Sequence, residues 1–147
     1  MNRPETPKVE AIRLEPDRFS PYAYSPTLAV GDLLFISGQS SIDDDGNVVG
    51  PDDFEAQGHQ VFKNLARVLA AAGAGLADVV KVTVFVTDMS KIGTIVALRR
   101  QYFQEPYPAD SLVEVRALSR PDLQLEIEAI AVRHTAPAST TDDRPGT

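Results

Sequence analysis

Residues 123–132 read LQLEIEAIAV, and this stretch limits the fold more than any other part of the chain. Successive side chains of a strand point to opposite faces. Leu123, Leu125, Ile127, Ala129 and Ala131 therefore form one apolar row, and Gln124, Glu126 and Glu128 stand on the other side. The apolar row calls for a cover of helices. The opposite face could simply be solvated, but Thr83, Phe85 and Ile130 make it too apolar for that, which points to subunit packing.

The remaining elements supply that cover. Asp52 with Glu55 three residues later forms a capping-box-like helix start. Phe54, Val61, Leu65, Val68, Leu69 and Ala72 then recur at helical spacing, and Gly73 stops the helix. A β-branched strand is expected over Val79–Val86, with Val80, Val82, Val84 and Val86 alternating against Lys81, Thr83 and Phe85. Asp88 or Ser90 can cap a second helix with Ile92, Ile95, Val96 and Tyr102 on its inner side, ended by Pro106 and Pro108. Strands are also expected at Val9–Leu14 (an edge), Leu33–Ser37 (left through Gly38), Leu112–Ala117 and Leu123–Val132. Pro16, Pro21 and Pro26 mark an irregular stretch, Asp43–Asn47 a turn, and Arg120-Pro121-Asp122 another. The pattern implies one α+β domain over 9–134. Residues 1–8 and the Pro-, Ser-, Thr- and Asp-rich 135–147 are expected to be disordered.

Composition then removes whole classes of chemistry. The chain has no cysteine, which excludes thiol nucleophiles, disulfides and cysteine-based zinc sites. With two histidines, His59 mid-helix and His134 at the edge of the tail, neither a histidine metal centre nor a serine–histidine–acid triad is expected. A net charge of −7, with no basic cluster beyond Arg99-Arg100, disfavours a nucleic-acid surface. No apolar tract of about 18 residues is present and the N-terminus does not read as a secretory signal, so a cytoplasmic, membrane-free protein is expected. Small molecules are the expected partners.

Several stretches together resemble the reactive-intermediate-deaminase (Rid, YjgF-like) family. They are Tyr24-Ser25-Pro26, Val30–Gln39 (VGDLLFISGQ), Asn64-Leu65 with Leu69–Gly73, Asp78–Met89 (DVVKVTVFVTDM), Pro108-Ala109, Val113-Glu114-Val115 and Glu126–Ala131 (EIEAIA). The match runs in order from about Pro21 to Val132. The resemblance implies a chorismate-mutase-like fold, a mixed sheet with two helices on one face. It also implies a homotrimer whose sheets form a central barrel, with clefts at the subunit boundaries. The activity implied is cofactor-free hydrolysis of enamines and imines to a keto acid and ammonia, with no metal. Glu126 matches the water-positioning glutamate, Tyr24 an aromatic cleft residue, and Ser37 and Gly38 the pair that shapes the pocket. Gly38 as a strand-end turn and Tyr24 as a packing residue are the structural alternatives.

One position departs from the pattern. Where the family has an arginine that grips the substrate carboxylate, this chain reads Pro108-Ala109-Asp110-Ser111, followed by Leu112 where a cysteine is common. An aspartate would repel the group the arginine binds. The expectation is a poor enzyme for the standard 2-imino acids, with a different small-molecule substrate. Asp110 then recognises a cationic or hydroxyl-bearing ligand and, where it shares the cleft with Glu126, raises one of the two pKa values. Arg99, Arg116 or Arg120 could supply a displaced positive charge; Arg116 alternates with Val115 on a strand near the cleft, an exposed cross-strand partner for Glu114 or Glu126 being the structural alternative. The alternative reading is a non-catalytic, trimeric small-molecule-binding protein. Endoribonuclease activity, known for some family members, is disfavoured by the acidic chain and the lack of a histidine pair.

Overall fold

A computed structural model of the chain describes residues 4–134. The tail expected over 135–147 and residues 1–3 lie outside the described residues. Residues 4–8 are exposed and without regular structure. The elements are β1 (Val9–Ile12), β2 (Thr27–Val30), β3 (Leu33–Ser40), α1 (Phe54–Ala71), β4 (Val79–Val86), α2 (Ile92–Tyr102), β5 (Ala109–Glu114) and β6 (Leu125–Val132). The strands make one six-stranded sheet in the order β1-β2-β3-β6-β4-β5. All neighbours are antiparallel except β4 and β5, which are parallel and joined through α2. Parallel neighbours need such a crossover because a tight turn cannot reverse the chain twice.

The apolar row of the last strand is buried as its alternation requires: Leu123, Leu125, Ile127, Ala129 and Ala131 are at most 4% exposed. Against it pack Phe54, Val61, Leu65, Val68, Leu69 and Ala72, the helical face read from spacing, together with Phe62. Ile95 and Leu98 bring α2 into the same core. Phe62 stacks on Tyr102 (centroids 4.4 Å apart, planes 8° from parallel) and meets Phe103 edge-on, which ties the ends of the two helices together.

Several sequence expectations need correction, beginning with the first strand, which ends at Ile12 rather than Leu14. The cap of α1 is Asp53, not Asp52: its carboxylate accepts the Ala56 N–H at 3.0 Å. Asp88 does not cap α2 directly but a short 3-10 turn, Met89–Lys91, that feeds into it. In α2, Leu98 is buried while Ile92 is 49% exposed. In β4 the core phase starts at Val79, and Val80 is 47% exposed, because the register to β6 slips between Val79 and Lys81. That bulge moves one side chain across the sheet, which alternation alone does not show. Strand β5 runs over Ala109–Glu114 rather than Leu112–Ala117.

The stretch read as irregular after Pro26 contains β2, which forms a hairpin with β3. Val30 pairs with Leu33, so Gly31-Asp32 is a two-residue turn, with Gly31 at φ 58° as such turns require.

Candidate active site

Strand β3 does not end at Gly38. Ile36 pairs with Ala129 and Gln39 with Ile127, so three steps along β3 oppose two along β6. The extra residue is a bulge over Ser37 and Gly38, the kind of local kink that re-aims side chains. Ser40 pairs with Glu126, so the bulge lies beside the first glutamate of β6. A Cβ at Gly38 would sit 2.0 Å from Glu126 Oε1 and 2.7 Å from its Cδ. Glu126 therefore lies across Gly38, in space that only glycine leaves open. Gly38 is thus more than a strand-end turn.

Two amides on α1, Gln57 buried and Asn64 half-buried, hold this geometry. Gln57 donates to the Gly50 carbonyl (2.9 Å) and the Asp122 carbonyl (2.7 Å), and it accepts the Gln124 N–H (2.8 Å). Asn64 donates to the carbonyls of Ser40 (2.9 Å) and Ile42 (2.8 Å). One amide anchors the chain entering β6 and the other the chain leaving β3, so Glu126 and the bulge are fixed relative to one helix. Sequence reading passed over Gln57 and met Asn64 only within a family-like stretch, without a role. Their signal was an amide at helical spacing from the apolar residues, Gln57 three after Phe54 and Asn64 three after Val61, because a polar group on a buried face needs partners.

Around Glu126 the other expected residues fall into two groups. Tyr24 and Ser37 are near it. The Ser37 hydroxyl donates to the Ser25 carbonyl at 2.6 Å, tying the bulge to the segment that carries Tyr24. Tyr24 is 47% exposed and its ring meets Phe19 edge-on at 5.4 Å. Burial, and then the Glu126 carboxylate, raise the Tyr24 pKa. Burial, and then the Glu128 carboxylate, raise that of Glu126. No cation pairs with Glu126 among the described residues. An unneutralised, half-buried carboxylate with a raised pKa is poised to take a proton.

Asp110 and Arg116 do not join this group within one protomer. Asp110 pairs in register with Val82, whose side chain faces the helices, whereas Glu126 pairs with Phe85 on the other face. Within the chain the two acids thus lie on opposite faces: the acid beside Glu126 is Glu128, and Asp110 holds Arg99 of α2 at 2.6 Å. Arg120 donates to the Gly46 carbonyl at 2.7 Å, and Arg116 is exposed beyond the end of β5. His59 lies next to Tyr102 and Glu55 on the helical side.

The helix-free face of the sheet is concave. A hollow of about 660 Å³ is lined by Tyr24, Leu28, Phe35, Ser37, Lys81, Thr83, Glu128 and Ile130, among others. Leu28, Phe35 and Val113 on this face are 38–43% exposed. Among the described residues no group of three or more His, Cys, Asp or Glu could hold a metal ion, and no helix is long and apolar enough to cross a membrane.

Comparison with known proteins agrees with this architecture. The profile of the Ribonuc_L-PSP family, described as Endoribonuclease L-PSP, matches residues 16–133. A RutC family protein of Pyrococcus horikoshii is 40% identical over 110 residues, covering 75% of this chain and 86% of that protein. The 2-iminobutanoate/2-iminopropanoate deaminase of Mus musculus is 38% identical over 110 residues, covering 75% and 81%. The crystal structure of the YjgF gene product of Escherichia coli superposes with a TM-score of 0.75 at 34% identity, covering 85% of this chain and 99% of that one. With a six-stranded mixed sheet, two helices on one face and a bulged glycine under a strand glutamate, this chain belongs to the Ribonuc_L-PSP (YjgF, Rid) family.

Proposed function

We propose that this protein is a cofactor-free hydrolase of imines and enamines, acting as a homotrimer on a small molecule other than the simple 2-imino acids. The observation that carries the reading is Glu126, half-buried over Gly38, with no paired cation among the described residues and a raised pKa, two residues along β6 from Glu128, which lines the hollow together with Tyr24 and Ser37. An iminium carbon is already electrophilic, so the site needs only to hold a water and move a proton. Glu126 accepts a proton from water as its oxygen bonds to the iminium carbon, giving a carbinolamine. The protonated Glu126 then returns that proton to nitrogen; the C–N bond breaks with its electron pair going to nitrogen, and the C=O bond forms as the hydroxyl proton passes to Glu126, which hands it to the departing ammonia to give ammonium. An enamine enters the same path after protonation at its β-carbon. The raised pKa suits a group that must hold the proton between these steps.

The name of the mouse relative supports the reaction class. The change of substrate is argued from Asp110, an acid neutralised by Arg99 rather than a cation free to bind a carboxylate. Trimerisation is argued from the apolar helix-free face, where Leu28, Phe35, Phe85 and Ile130 lie together. In that assembly the neighbouring protomers wall the hollow and enclose the site at their boundary.

Coupling the protein to an amino-acid oxidase and following imine loss by semicarbazide trapping tests the chemistry. Glu126→Gln is expected to lose at least about 10²-fold in kcat, at the low end of general acid–base contributions, while the particle mass stays that of three chains. Undiminished turnover would remove Glu126 from the mechanism. Hydrolysis of 2-iminopropanoate as fast as by the mouse relative would overturn the substrate claim. Phe35→Glu should dissociate the assembly to single chains in light scattering; wild-type protein sedimenting as one chain would sink the boundary site.

A further inference from the structure

Two of the side chains lining the hollow carry charge, Lys81 and Glu128. They are diagonal neighbours on the same face, since Thr83 pairs with Glu128 and Lys81 with Ile130. Long side chains at that spacing can meet, yet these do not form an ion pair. The Lys81 ammonium turns the other way, toward β5, and donates to the Ser111 hydroxyl at 3.1 Å and the Val82 carbonyl at 3.3 Å. Both acceptors are neutral, and no carboxylate lies within 4.0 Å of it among the described residues. An ammonium has three donors, so Lys81, one of the residues lining the hollow, keeps one N–H and its charge without a protein partner among the described residues. Burying such a group has a cost that an anion in the hollow would offset.

We infer that Lys81, docked on Ser111, is the residue that receives the anionic group of the substrate. The inference rests on the imine-hydrolase reading and adds a substrate class to it. Lys81 pairs with Ile130, and Glu126 lies four residues away from Ile130 on the same strand and the same face. At ~3.3 Å per residue the two Cα positions are separated by about 13 Å along the sheet. Because the ammonium leans onto β5 while Glu126 lies over Gly38 of β3, the two side chains diverge further across the sheet. A 2-imino acid, whose carboxylate is one C–C bond of about 1.5 Å from the reacting carbon, cannot touch both. The substrate is an imine or enamine whose carboxylate lies several bonds away from its C=N carbon.

The test uses oxidase-generated imines of glutamate, which carries a distal carboxylate, and of glutamine, its uncharged isostere. Binding of glutarate, measured by calorimetry, is the readout that needs no turnover. Wild-type protein should prefer the glutamate imine at least tenfold in kcat/KM, and Lys81→Met should abolish that preference through KM. The same variant should lose glutarate affinity at least tenfold, Lys81→Arg should retain most of it, and Ser111→Ala should lose a smaller part. Glu126→Gln should keep glutarate binding while losing kcat. Glutarate affinity that depends on Lys81 in a protein that hydrolyses no imine would leave this inference standing and remove the hydrolase reading. Imine turnover with no preference for the distal carboxylate, or glutarate affinity absent or unchanged in Lys81→Met, would overturn the inference and leave the hydrolase reading intact.

Discussion

Adding a methyl group at Gly38 should separate what this glycine does for the fold from what it does for Glu126. The added Cβ would lie 2.0 Å from Glu126 Oε1, 2.7 Å from Cδ and 3.0 Å from Cγ, where non-bonded carbon contacts normally fall at about 3.5–4.0 Å. The three nearest atoms it meets all belong to one side chain, so the strain can be relieved if the carboxylate swings away. Overpacking costs about 1–3 kcal/mol, and a movable carboxylate puts Gly38→Ala at the low end, about 1–2 kcal/mol. Turnover should fall much further, by about 10²-fold or more, because the proton-handling group has been displaced. The decisive measurement is a double-mutant cycle in urea denaturation. In a Glu126→Ala background the clash has no partner, so Gly38→Ala should cost almost nothing, giving a coupling of about 1–2 kcal/mol, within the range for residues in contact. An equal cost in both backgrounds would show that Gly38 is needed for the backbone of the bulge and not for the glutamate above it.

Three further outcomes follow from the same geometry. Burial raises the Glu126 pKa above its unfolded value, so the stabilisation linked to its proton is complete below about pH 4.3 and is lost as pH rises through the folded pKa; Glu126→Gln should therefore melt higher than wild type at pH 7.5 and not at pH 4, and the opposite trend would contradict the burial argument. Asp110→Ala leaves Arg99 without its carboxylate and should cost about 1–2 kcal/mol, a charge-assisted bond discounted for partial exposure; Arg99→Ala should then add little, and additive losses would show that the pair does not act as a unit. Ile127→Ala opens a cavity in the fully packed row of β6 and should cost about 2–5 kcal/mol by denaturation, whereas a cost under 1 kcal/mol would place Ile127 outside the core.

Periodicity settled the gross architecture, because the burial of a row of side chains is a local property repeated every two residues in a strand and every three or four in a helix. The apolar faces of α1 and β6 could be read that way, and Gly73 marked a helix end through its own backbone freedom. Two expected strands were misread in part at breaks in that periodicity. The bulge at Val79–Lys81 moved Val80 out of the core phase, and the bulge at Ser37–Gly38 carried β3 past the glycine expected to end it. Strand β2 was lost because four residues between Pro26 and Gly31 are too few to show an alternation.

The site followed a similar division. Glu126, Tyr24, Ser37 and Gly38 were found through family resemblance, and the Asp110 substitution was visible as a letter change. Where those letters point was not visible, since facing depends on register to a strand far away in sequence. Pairing with Val82 turns Asp110 toward α2 and Arg99, and pairing with Phe85 turns Glu126 toward the open face. The close approach of Glu126 to Gly38, the amide anchors of Gln57 and Asn64, and the unanswered charge of Lys81 all join segments that only the folded sheet brings together. Sequence by itself determined the main apolar rows of α1 and β6, because burial there is decided by hydrophobicity at a local period. The tertiary structure decided which polar side chains meet, because that is decided by register and bulges between strands that share no local signal.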